Sequence, residues 1–111
     1  MTHPYGRRTS PRVGVTMPAQ VHLAHGEYSG TVTNLSVGGV FVQCEAEVNP
    51  PCAVMINIAI SDGEKPRFLE VLGTVVHTRQ GGFGIKFDTL PPATLNRLLR
   101  VVTRTFTLEP F

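Results

Sequence analysis

Two short groups of residues have the chemistry of a binding site. The first group is Arg7-Arg8-Thr9-Ser10-Pro11-Arg12, in which Arg8 and Arg12 stand in an R-x-x-x-R spacing and no acidic residue occurs among the first dozen. A guanidinium is a planar fork of N–H donors that pairs bidentately with anionic oxygens and stacks on flat rings, whereas lysine offers only a point charge. The arm has three arginines and no lysine, which reads either as a solvated basic tail or as a patch for an anionic partner. The second group is Asn34-Leu35-Ser36-Val37-Gly38-Gly39. It reads as a hairpin connection in which Asn34 and Ser36 supply donors and acceptors, while Gly38 and Gly39 supply turn geometry or let a ligand approach the backbone.

Neither group suits catalysis. The eight acidic residues show no spacing of a general acid/base pair, and nucleophile-elbow, zincin and phosphate-loop patterns are absent. His22 and His25 form an H-x-x-H without the further ligands a zinc site needs, so no metal is expected. Cys44 follows the apolar phase of its strand, and Cys44 and Cys52 are too isolated for a redox motif. No enzyme activity and no cofactor are expected.

These residues must be held by a small scaffold. At 111 residues, 41% hydrophobic and a net charge of +2, the chain forms one modest core. No apolar run is long enough to span a bilayer, and the opening lacks an export signal, so a cytoplasmic protein with reduced thiols is expected. Residues 1–18 contain Pro4, Pro11 and Pro18 with Gly6 and Gly14, which predicts an extended, flexible N-terminal arm rather than a helix. From Gln20 onward apolar residues recur with period two, most clearly Val54, Ile56, Ile58 and Ile60. Six such runs with turn residues between them predict an all-β fold, an antiparallel barrel or sandwich, over residues 19–90. The period then changes. Leu95, Leu98, Leu99, Val102 and Phe106 mark one face of a helix over residues 91–106, entered at Pro92 and followed by a tail at 107–111. Arg100 and Arg104 repeat the R-x-x-x-R spacing on that helix, where they read as its solvated face.

In this order, an arginine arm, a barrel and N-x-S-x-x-G, the sequence resembles the PilZ domain family, whose members bind cyclic di-GMP through R-x-x-x-R and [D/N]-x-S-x-x-G. Gly39-Val40-Phe41-Val42 and Gly82-Phe83-Gly84-Ile85-Lys86-Phe87 are similar to two family strands, and the likeness runs from about Arg7 to Arg104. It implies a six-stranded antiparallel β-barrel with a C-terminal α-helix, and a receptor that holds cyclic di-GMP between arm and hairpin. Arg8, Arg12, Asn34, Ser36 and Gly39 are the motif positions, with Gly38 beside them. Arg7 precedes the first motif arginine, as in relatives that take a stacked nucleotide dimer, so two ligands per chain are expected. Asn34 stands where the family more often has Asp, and His77 where many members carry Trp.

The chemistry fits the ligand. Arginine forks match guanine O6 and N7 or phosphate, and Asn34 oxygen can accept from guanine N1–H or N2–H. Ordering the arm costs about 1–2 kcal/mol per residue, so the arm is expected to be mobile when empty and to order on binding, signalling to a downstream protein partner. The alternative is a PilZ-like interaction module that does not bind nucleotide. A barrel for single-stranded nucleic acid is disfavoured, because most aromatics fall at core-period positions and tryptophan is absent.

Overall fold

The computed structural model describes residues 12–62 and 65–107. Six strands, β1 (Val13–Leu23), β2 (Gly26–Leu35), β3 (Gly39–Gln43), β4 (Cys52–Asp62), β5 (Lys65–Arg79) and β6 (Gly82–Phe87), precede one helix, α1 (Pro92–Thr107). The strands close into a barrel in the order β1-β2-β3-β6-β5-β4, antiparallel throughout. Closure pairs every described strand with a neighbour on both sides over part of its length, which limits the exposed sheet edge. The sequence-predicted architecture, a six-stranded antiparallel barrel with a C-terminal helix, is the one observed.

Alternation fills the interior. Val54, Ile56, Ile58 and Ile60 of β4 point inward and meet Val21 of β1, Leu69 and Val71 of β5, and Phe83 and Ile85 of β6 in one apolar cluster. Among the described residues no polar or charged side chain is buried, so the core makes no demand for internal hydrogen bonds.

Two boundaries differ from the sequence reading. β1 begins at Val13 and pairs with β2 from Val13↔Leu35 onward, so Val13–Pro18 belong to the barrel rather than to an arm ending at residue 18. Pro18 is accommodated within the strand on the exposed side of the sheet. The remainder of the expected arm, residues 1–11, lies outside the described residues, as does the end of the expected tail. The helix starts at Pro92, where Leu95 N–H donates to Pro91 C=O (2.9 Å). Its buried stripe is Leu98, Val101 and Val102, which packs on the core, while Leu99 is 43% exposed. At about 100° per residue Leu99 lies on the rim once Val101 is included, so the buried face is turned from the predicted one. No described helix is long and apolar enough to cross a membrane.

Candidate functional site

Three register shifts interrupt the barrel ladders, and all three abut one row of residues. The row runs across five strands: Gly14 pairs with Asn34, Asn34 with Phe41, Phe41 with Gly84 and Gly84 with His77. In β2, Thr33 is an extra residue between the pairs Val32↔Val42 and Asn34↔Phe41. In β5, Val76 is extra between Val75↔Ile85 and His77↔Gly84. An inserted residue reverses the facing of everything beyond it. Strict alternation from Val32 and Val75, both fully buried, would send Asn34 and His77 into the core. The bulges at Thr33 and Val76 bring both to the outer face, where Asn34 is half-buried and His77 exposed. Asn34 therefore sits inside a bulged strand and not in the hairpin turn itself.

The turn is built on Ser36. Its Oγ accepts from Gly38 N–H (3.1 Å) and Gly39 N–H (3.2 Å) and donates to Gly39 C=O (3.3 Å), while Ser36 N–H donates to the same carbonyl (2.9 Å). The hydroxyl is saturated by its own loop, so in this arrangement Ser36 shapes the turn. Gly38 C=O accepts from Phe87 N–H (2.9 Å), which fastens the loop to the end of β6. The two glycines differ. A Cβ on Gly39 would collide with the Ile85 carbonyl oxygen of β6, whereas one on Gly38 would enter open space, 3.9 Å from Ser36 Oγ. Gly39 is required by strand packing, and Gly38 leaves a bare, exposed stretch of backbone. Ser36→Ala strands both glycine amides and is expected to lower stability by about 1–2 kcal/mol, read by thermal or urea unfolding, with Ser36→Thr close to the native protein.

Phe41 and His77 pave the middle of the row. The Phe41 ring lies against Gly82 (2.9 Å from Cε2 to an ideal Cβ there), and the His77 ring lies against Gly84. The rings are nearly parallel, at 19°, with centroids 6.2 Å apart. Gly82 and Gly84 are successive outward positions of β6, alternating with the buried Phe83 and Ile85. The G-x-G pattern thus removes two side chains so that two rings can lie flat on the strand. The Arg79 guanidinium stands over Phe41, 5.4 Å from its centroid, at cation–π range. Phe41 and Arg79 were missed by sequence reasoning. A phenylalanine on the polar phase of Val40-Phe41-Val42 was the available signal for the first, and none existed for the second.

Arg12 completes the part that can be placed. It is exposed and immediately precedes Val13, the partner of Leu35, so it comes up beside Ser36, which follows Leu35. Arg12, Asn34, Ser36, Gly38 and Gly39 gather at one end of the barrel, and Phe41 links Asn34 to His77 across the wall. Arg7 and Arg8 lie outside the described residues. The surface offers an amide, a guanidinium, bare backbone and two flat rings, which suits a planar polar ligand with anionic groups. Among the described residues no three His, Cys, Asp or Glu are grouped to hold a metal ion.

Comparison with known proteins gives the same outline. Residues 6–104 match the PilZ domain family. No curated protein sequence matches the chain. Among solved structures the chain is similar to the Bacillus subtilis inhibitor of motility, with a TM-score of 0.82 and 16% identity over 95% of this chain and 54% of that one. It therefore spans about half the length of that protein. The PilZ domain of CeSA from a cellulose-synthesizing bacterium gives a TM-score of 0.66 and 23% identity, over 90% of this chain and 99% of that one. The PilZ domain of Escherichia coli YcgR, solved with cyclic di-GMP, gives 0.71 and 15% over 91% and 92%. At these identities the structural likenesses speak to the fold.

Proposed function

The chain belongs to the PilZ domain family, and we propose that it is a receptor for cyclic di-GMP, bound on the outer wall along the row from Asn34 to His77. The observation that carries this reading is the pair of bulges, at Thr33 and Val76, that turn Asn34 and His77 out of the core into one row with Phe41 between them. A fold has no need to expose these side chains, and bulges are enriched where a strand must re-aim a side chain for function. One guanine stacks on His77 with its edge toward Asn34. Arg12, and by the family motif Arg8 with Arg7, reach the phosphates and the O6/N7 edge. The bare backbone at Gly38 permits close approach. The fold's likeness to a domain solved with this nucleotide supports the choice of ligand.

Isothermal titration with cyclic di-GMP tests the reading: saturable binding is expected, with up to two ligands per chain. A flat titration by folded protein would contradict it. Gly84→Ala probes the platform, because the added methyl collides with the His77 ring and lifts it from β6. Affinity is expected to fall several-fold, at the lower end of what base stacking contributes.

A second reading, a protein-interaction module, is favoured by one observation. Phe68, Leu72 and Val76 on β5 are 69%, 61% and 45% exposed, on the side of the barrel wall where β5 pairs with β4. In the receptor reading this stripe serves as the output surface for a downstream partner, since it adjoins His77 through the Val76 bulge.

A further inference from the structure

We infer that the barrel carries a second guanine subsite, built from Phe41, Arg79, Glu45 and Glu47, alongside the Phe41–His77 stretch of the row on the side away from Ser36. This deepens the receptor reading and rests on it. Beside Arg79 a cavity of about 610 Å³ opens between the chain leaving β3 and the β5–β6 turn, and Glu45, Glu47, Thr78, Arg79 and Gly82 are among its lining residues. Cys44 N–H donates to Gly81 C=O (3.0 Å), joining the two walls. The turn itself depends on Gly81 at φ 78°, a left-handed conformation that suits glycine. The rim is paved by Phe41, which carries the Arg79 guanidinium at 5.4 Å and runs on into the His77 ring.

The lining complements guanine in particular. Guanine presents acceptors, O6 and N7, on one edge and donors, N1–H and N2–H, on another. Arg79 supplies a planar fork for the acceptor edge or a face for stacking, and the exposed carboxylates of Glu45 and Glu47 supply acceptors for the donor edge. Adenine keeps N7 and an amino donor at N6, but it lacks the O6/N7 acceptor pair and the N1–H/N2–H donor pair, so it matches each side less fully. A dinucleotide whose first base lies on His77 can place its second base here by turning along β5 toward Arg79, two residues from His77.

The test is titration calorimetry with cyclic di-GMP and cyclic di-AMP on the native protein and on Arg79→Ala, Arg79→Lys and Glu45→Gln/Glu47→Gln, with thermal unfolding alongside. Arg79 is exposed, so its substitution should lower the melting temperature by no more than the lost contact with Phe41 accounts for. Arg79→Ala is expected to weaken cyclic di-GMP binding about tenfold, the scale of one stacked base. Arg79→Lys should fail to restore it, and the double glutamine variant should narrow the preference over cyclic di-AMP. Native protein that binds while Arg79→Ala binds equally well would overturn the subsite and leave the receptor reading standing. Native protein that does not bind at all would remove both.

Discussion

Replacing Arg12 by alanine is expected to weaken cyclic di-GMP binding about a hundredfold, the upper range of one bidentate guanidinium contact, while leaving the barrel folded. Arg12 is exposed and precedes the first ladder pair, Val13↔Leu35, so its removal touches no core side chain. It nevertheless stands beside Ser36 at the end of the row that holds Asn34 and Phe41. Lysine should recover little of the loss, because a single ammonium cannot fork onto O6 and N7 or lie on a base plane. Calorimetry on Arg12→Ala and Arg12→Lys, with the melting temperature as control, checks this. Equal affinity in all three proteins would detach the arm from the site.

The largest expected effect on stability comes from Gly39→Ala. The first pair of the β3–β6 ladder is Gly39↔Lys86, and a Cβ at Gly39 meets the Ile85 carbonyl oxygen and lies 3.4 Å from Lys86 Cα. Both obstacles are backbone, with no flexible end to move aside, so the strands must part where the barrel closes around the Ser36 turn. A loss of about 2–3 kcal/mol is expected, which for a domain of this size lowers the melting temperature by roughly 10 °C or more. Gly38→Ala is the matched control: its Cβ enters open space, and its melting temperature should stay within error of the native protein. A large loss for Gly38→Ala, or none for Gly39→Ala, would contradict the loop geometry.

The core was legible in the sequence because its physics is local and periodic. Val54, Ile56, Ile58 and Ile60 alternate with Met55, Asn57 and Ala59, and the β-branched side is the side that is buried. The helix was legible for the same reason, though its phase was not. Leu99 drew the predicted stripe toward itself, while Val101 is the residue the core takes. The site was legible only through motif residues. A bulge shifts the alternation by one and leaves no compositional mark, so nothing in Val32-Thr33-Asn34 or Val75-Val76-His77 announces that Asn34 and His77 face outward. Likewise, proximity of Phe41 to His77 depends on β3 and β5 both pairing with β6, a long-range fact that spacing along the chain does not contain. Ser36 shows the reverse case. A residue type suited to ligand contact is spent on its own turn, with Oγ bonded to Gly38 and Gly39.

The division between the two glycines and the two bulges points one way. The barrel is closely packed where Gly39 lies against β6, and among the described residues its strand register shifts only beside the row that carries Asn34 and His77. Such local irregularity, set in an otherwise regular sheet, is where function is expected to reside.

In the proposed receptor the outer row from Gly14 to His77 is the nucleotide surface. The most direct measurement is an amide chemical-shift titration with cyclic di-GMP on the isotope-labelled protein. Perturbations are predicted to concentrate at Arg12, Asn34, Gly38, Phe41, Gly84 and His77, and to spare Met55 and Asn57 on the β4 wall. Saturable shifts centred on β4 and absent from that row would contradict the account.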